Sequence, residues 1–198
     1  MFKKIIILLL GVSAGIVTGT CTYTWQATPD PMTHLSRCDP HHIGAQMIQV
    51  PLLKSTWQTV HDCNLHNPEK VAIAITVFYN SWRLKFGETH GVWEALNNLL
   101  VEWSDEKKSV SGYNIHGNKF IDSPIVGLAR TPTWIWVQTS GNDRICDTAF
   151  IHELVHISIW ALTGTGDPDH EGGKYYGWTP DHTTLIKEVN AVLCGLGI

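Results

Sequence analysis

From Phe150 to Trp160 the chain reads FIHELVHISIW, an apolar run broken by His152, Glu153 and His156. Apolar residues at Phe150, Ile151, Leu154, Val155, Ile157 and Ile159 cover a helix almost all round, so the run reads as a buried helix. Three titratable side chains in such a helix are costly to bury unless something satisfies them. Whatever fold this chain adopts must therefore pack around the helix and keep a polar spot beside those three residues. Residues four apart lie above one another on one helical face, so His152 and His156 project toward a common point. Glu153 is rotated off that line by one residue.

This spacing is the HExxH pattern of zinc hydrolases. Two imidazoles one turn apart can share a Zn²⁺ at Zn–N distances of ~2.0–2.1 Å, while the intervening carboxylate reaches a metal-bound water without ligating the metal. Zinc brings the pKa of that water toward ~7, and Glu153 can take its proton and pass it to a leaving amine. With 11 His in 198 residues, the string arises by accident in roughly two chains per hundred of this composition. The bland alternative is a hydrogen-bonded histidine pair.

A catalytic zinc takes three protein ligands, and the Gly- and Asp-rich stretch after Gly164 is placed to supply the third. His170, fourteen residues past His156, is the first choice; Asp167 follows, with His182, Glu171 and Glu188 behind it. Asp167 and Asp169 are also good turn residues, and His182 reads as a solvated histidine in a helix's first turn. Tyr175 and Tyr176 could donate to a developing oxyanion or simply pack. The remaining histidines show no paired ligand spacing.

The segment from Trp134 to Trp178 resembles the zincin superfamily of metallopeptidases. The resemblance implies an α+β fold, with a small mixed β-sheet whose edge strand packs on the HExxH helix, plus a C-terminal helix. By the same analogy Thr133–Thr139 is the strand along which extended substrate lies. Within the superfamily, Ile159 and Leu162 occupy positions where metzincins need Gly and His, which excludes that branch. Gly164-Thr165-Gly166-Asp167 is similar to the first half of the aspzincin GTxDxxYG motif, with His170 and Glu171 at its Tyr and last Gly positions. His170 is spaced like the third ligand of SprT-like proteins, and Glu188 like the later glutamate of gluzincins. Residues 22–120 resemble no known family.

Elsewhere the chain divides into residues 1–20, a signal peptide or membrane anchor (Lys3-Lys4, then apolar Ile5–Leu10, then small residues), an extended arm over 21–66, and one domain over 67–198. Cys21 stands where a lipoprotein cysteine would. Each version places the domain outside the cytoplasm, where disulfides persist; the expected bridges are Cys38–Cys63 and Cys146–Cys194. In the domain, Asn67-Pro68-Glu69 opens a helix stopped by Gly87, although β-branched residues from Val71 to Tyr79 make a strand the second choice. A second helix is expected over Val92–Leu99, strands at Leu100–Trp103, Ile125–Ala129 and Thr133–Thr139, a charged turn at Ser104–Lys108, the motif helix over Asp143–Thr163, and a last helix capped by Thr179-Pro180 and ended by Gly195.

A net charge of −4 and the lack of a Lys/Arg cluster argue against a nucleic-acid partner. The expected function is an extracytoplasmic zinc metallopeptidase acting on a peptide or protein substrate, touching membrane only through its N-terminal segment or a lipid on Cys21. Two other readings stand beside it: an envelope or surface binding module with a structural zinc site, and a zinc amidase with a non-peptide substrate.

Overall fold

The structure, a computed structural model, describes residues 46–60, 66–87, 89–104, 107–113, 119–139, 144–166 and 177–198. Among these residues the fold is α+β, with four α-helices, a mixed five-stranded sheet and a separate two-stranded hairpin. Strands β1 (Gln46–Gln49), β2 (Trp57–Val60), β3 (Leu100–Ser104), β6 (Gly127–Thr131) and β7 (Trp134–Gln138) make the sheet, in the order β1-β2-β3-β7-β6. β2, β3 and β7 run parallel, and each outer strand is antiparallel to its neighbour. β1 and β2 come from residues the sequence assigns to an extended arm; their four-residue length leaves too little alternation to recognise.

Helix α1 (Pro68–Phe86) forms as its cap signals require. Asn67 Oδ1 accepts the Glu69 N–H at 2.8 Å, Pro68 occupies the first turn, and the Gly87 N–H closes the end on Arg83 O. Its buried stripe of Val71, Ala74, Ile75, Phe78 and Trp82 has helical spacing, which outweighs the β-branched composition. Helix α2 (His90–Leu96) starts two residues before the expected Val92 and ends at Leu96 instead of Leu99. Asn97 and Asn98 stop it: Asn98 Nδ2 donates to Glu94 O, and Asn97 Oδ1 accepts the Lys54 N–H. Leu99 is thereby released as a buried lead into β3.

The motif helix α3 (Phe150–Thr163) is shorter at its start than the expected Asp143–Thr163. A 3₁₀ turn at Ile145–Asp147 precedes it. Thr148 makes the break, since its Oγ1 donates to Ile145 O and accepts the Phe150 N–H, offering the backbone local partners in place of helical ones. Helix α4 (Pro180–Gly195) begins at the expected Thr179 cap and runs through Gly195 to a cap at Leu196.

Alternation along the sheet separates two faces. Val101, Trp103, Ile135 and Val137 join the core with α1, α3 and α4, and all four are fully buried. Glu102, Trp134 and Trp136 point to the rear, where a hairpin of β4 (Lys108–Tyr113) and β5 (Lys119–Ile125) lays Lys108 Nζ 4.5 Å from the Trp136 ring. The expected charged turn at Ser104–Lys108 thus ends in a strand. The expected strand Ile125–Ala129 divides at Val126, leaving β6 as a separate edge strand. The Thr133–Thr139 strand corresponds to β7, but β7 is flanked by β3 and β6. Both of its hydrogen-bonding edges are taken, so it cannot receive a substrate strand.

Cys146 and Cys194 form the expected disulfide, tying the 3₁₀ turn to the last turn of α4 across 48 residues. Cys38 and Cys63 lie outside the described residues. Cross-linking a loop of this length is worth on the order of 2–4 kcal/mol through the unfolded chain. The paired substitution Cys146→Ser with Cys194→Ser should lower urea-unfolding stability by that amount under oxidising conditions. An unchanged midpoint would show that the bridge constrains nothing.

Candidate metal centre

The site is built on the first two turns of α3. His156 is 7% exposed, His152 is half-buried, and Glu153 is 3% exposed. The two imidazoles stand edge to face, and their Nε2 atoms converge to 3.1 Å. The Nδ1–H of His156 donates to the carbonyl of Gly166, which puts the proton on Nδ1 and leaves the Nε2 lone pair facing His152. An ion at ~2.0–2.1 Å from both nitrogens would see them about 100° apart, close to a tetrahedral angle. The donor atoms of His152, Glu153 and His156 all lie within 4.8 Å of one another. These residues could hold a metal ion.

Glu153 turns inward between α3 and β6. Its carboxylate accepts the Ala129 N–H, while Oε2 is buried with no hydrogen-bond partner among the described residues. The Gln138 N–H donates to Val126 O, and Gly127 faces Val137, so the alternating antiparallel ladder turns the polar backbone groups of Gly127 and Ala129 away from β7. A Cβ on Gly127 would stand 2.4 Å from Glu153 Oε1 and 2.7 Å from the Ala149 Cβ. Glycine is therefore required for the strand to lie against the carboxylate. Burial pushes the Glu153 carboxyl from its ordinary 4.5 to about 8, against the opposing effect of the Ala129 bond.

Beyond the helix, Gly164 adopts a left-handed conformation (φ 79°) and turns the chain back. Gly166 then lies against the Trp160 ring, where a Cβ would meet Cε3 at 2.9 Å, and delivers its carbonyl to His156. The chain meets the site again at Trp178, whose ring centroid is 5.2 Å from that of His152 and 4.9 Å from that of His156. Both flanks of segment 167–176 thus abut the histidine pair. His170, Asp167, Glu171, Tyr175 and Tyr176 belong to that segment, outside the described residues.

His182 and Glu188 do not join the centre. His182 is buried rather than solvated, because α4 packs its first turn on α1: the imidazole stacks on Phe86 at 4.4 Å and its Nδ1 accepts the Thr179 N–H in a capping box. Burial lowers its pKa, with Asp181 opposing. Trp178 touches both this ring and the α3 pair. Glu188 is exposed and paired with Lys85 at 3.1 Å.

Sequence reasoning missed Gly127, Ala129, Gly166 and Trp178. A glycine inside a strand pattern signals close backbone approach, so Gly127 was findable. Trp178 stands just before a capped helix, the position from which a side chain packs onto the first turns.

Two outcomes follow. In metal-free protein the folded state keeps the Glu153 proton at pH values where the unfolded chain has released it. This protonation preference therefore favours folding fully below about pH 4.5 and less as pH rises toward 8. At ~1.4 kcal/mol per pKa unit, Glu153→Gln should be more stable than wild type at pH 8 by a few kcal/mol, with the two converging near pH 4.5. Urea titrations with chelator present would test this; parallel pH profiles would contradict it. Separately, Gly127→Ala should destabilise by about 1–3 kcal/mol, and Glu153→Ala should relieve part of that loss. Strict additivity in the double-mutant cycle would deny the contact. The chain itself matches no known family model, no curated protein and no solved structure.

Proposed function

We propose that this protein is an extracytoplasmic zinc-dependent hydrolase of zincin type that cleaves peptide bonds. The observation that carries the reading is the pairing of two convergent imidazole nitrogens, 3.1 Å apart, with a buried carboxylate whose Oε2 has no hydrogen-bond partner among the described residues. A histidine pair that merely filled space would not need a glycine-lined recess for an adjacent glutamate. His152 and His156 would hold the metal, with His170 as the proposed third ligand. Zinc bound there would act as a Lewis acid, polarising a carbonyl and making water acidic near neutral pH.

The chain's own residues account for the remaining steps. Gly166 fixes the tautomer of His156 through Nδ1. A cation held beside it would favour the ionised form of Glu153, which would take a proton from the attacking water as the new C–O bond forms, then deliver it to the departing amine nitrogen as the C–N bond breaks. The N-terminal apolar segment and Cys21 support an anchored or secreted location.

The test uses purified protein, a generic denatured protein substrate and metal analysis. Glu153→Gln should keep about one zinc per chain while turnover falls by roughly 10²–10⁴-fold, and His156→Ala should lose the metal. His170→Ala should lower zinc occupancy more than Asp167→Ala; the reverse would transfer the third-ligand role to Asp167. Zinc binding without wild-type turnover would favour a binding module, and full turnover in Glu153→Gln would overturn the mechanism.

A further inference from the structure

We infer that Trp178 is the positioning residue of the metal centre, acting through the two imidazoles rather than on substrate. This rests on the metal-centre reading above and deepens it. The indole is 7% exposed and contacts both histidine rings, tilted 45° from His152 and 40° from His156. Two neighbouring features hold it there. Its Nε1–H donates to Thr183 Oγ1 at 3.2 Å, and the capping box of Thr179 with His182 fixes the turn that carries Thr183. On the other side, Gly177 (φ 96°) crosses α3 so closely that a Cβ would meet Ile159 Cγ2 at 2.9 Å and Thr163 Cγ2 at 3.1 Å. The chain between these points has little freedom to shift.

His156 has a hydrogen bond to orient its ring, and Trp178 supplies a wall common to both rings. Imidazoles sharing a cation's charge also gain from an adjacent indole π-system. Fixed rings lose less rotamer freedom on binding, which raises metal affinity without adding a ligand.

The test measures zinc affinity by competition with a chromophoric chelator and, separately, unfolding of the metal-free chain. Trp178→Leu removes the ring and should weaken zinc about 10–100-fold, with Trp178→Phe recovering most of it. Thr183→Val, which removes the acceptor of the indole N–H, should weaken zinc several-fold beyond whatever metal-free stability that lost hydrogen bond costs. The visible spectrum of the Co²⁺-loaded protein should shift in Trp178→Leu and Thr183→Val. Should Trp178→Leu fail to fold, Thr183→Val and Trp178→Phe decide. Variants that bind within about twofold of wild type, with unshifted cobalt spectra, would overturn the role of Trp178 and leave the metal centre intact. A wild type that binds no zinc would remove both.

Discussion

One contact sets the geometry of everything around it: the carboxylate of Glu153 lying against the backbone of Gly127 and Ala129. A buried carboxylate is expensive, and here it is enclosed by a helix turn on one side and an edge strand on the other. The strand can come this close only where a side chain is missing. A slip of one residue along β7 would present Leu128 in place of Gly127 and invert every side chain of β6. The register of an outer strand, commonly the least constrained in a sheet, is therefore tied to the residue proposed to do the chemistry.

The rest of the sheet supports that placement. On the core face the Trp103 ring packs at a tilt against Phe150, the first residue of α3, and its Nε1–H donates to Gln58 Oε1 at 2.8 Å. On the rear face Glu102 accepts the Trp134 Nε1–H and is flanked by Lys108 at 3.7 Å and Arg130 at 3.5 Å. Breaking such a buried group by removing one partner is more damaging than its net contribution suggests. It links β3, β4, β6 and β7 behind the site, so the edge strand is held from the rear while the carboxylate holds it from the front.

The C-terminal part of the chain acts as a frame. Gly164 reverses direction, Gly166 and Trp178 return to the histidine pair, and the disulfide anchors the end of α4 to the turn before α3. The motif helix is thus bounded at its start by Cys146 and at its end by Gly164. His152 and His156 sit between these fixed points, where ring orientation depends on contacts that approach from downstream residues.

Much of the centre was legible in the residues alone. The four-residue spacing of His152 and His156, the offset of Glu153, the Gly164 stop, the Thr179-Pro180 start and the Cys146–Cys194 pair are all local or combinatorial signals, set by helical periodicity, backbone sterics and thiol arithmetic. Other features depend on approach between distant segments. That β6 rather than β7 lies at the edge, that Gly127 makes room for Glu153, that His182 is buried on Phe86 instead of solvated, and that Trp178 closes on both imidazoles follow from strand order and helix packing. Sequence periodicity reports which face of an element is buried; it carries no information about which partner will cover that face. Only the tertiary structure decided that.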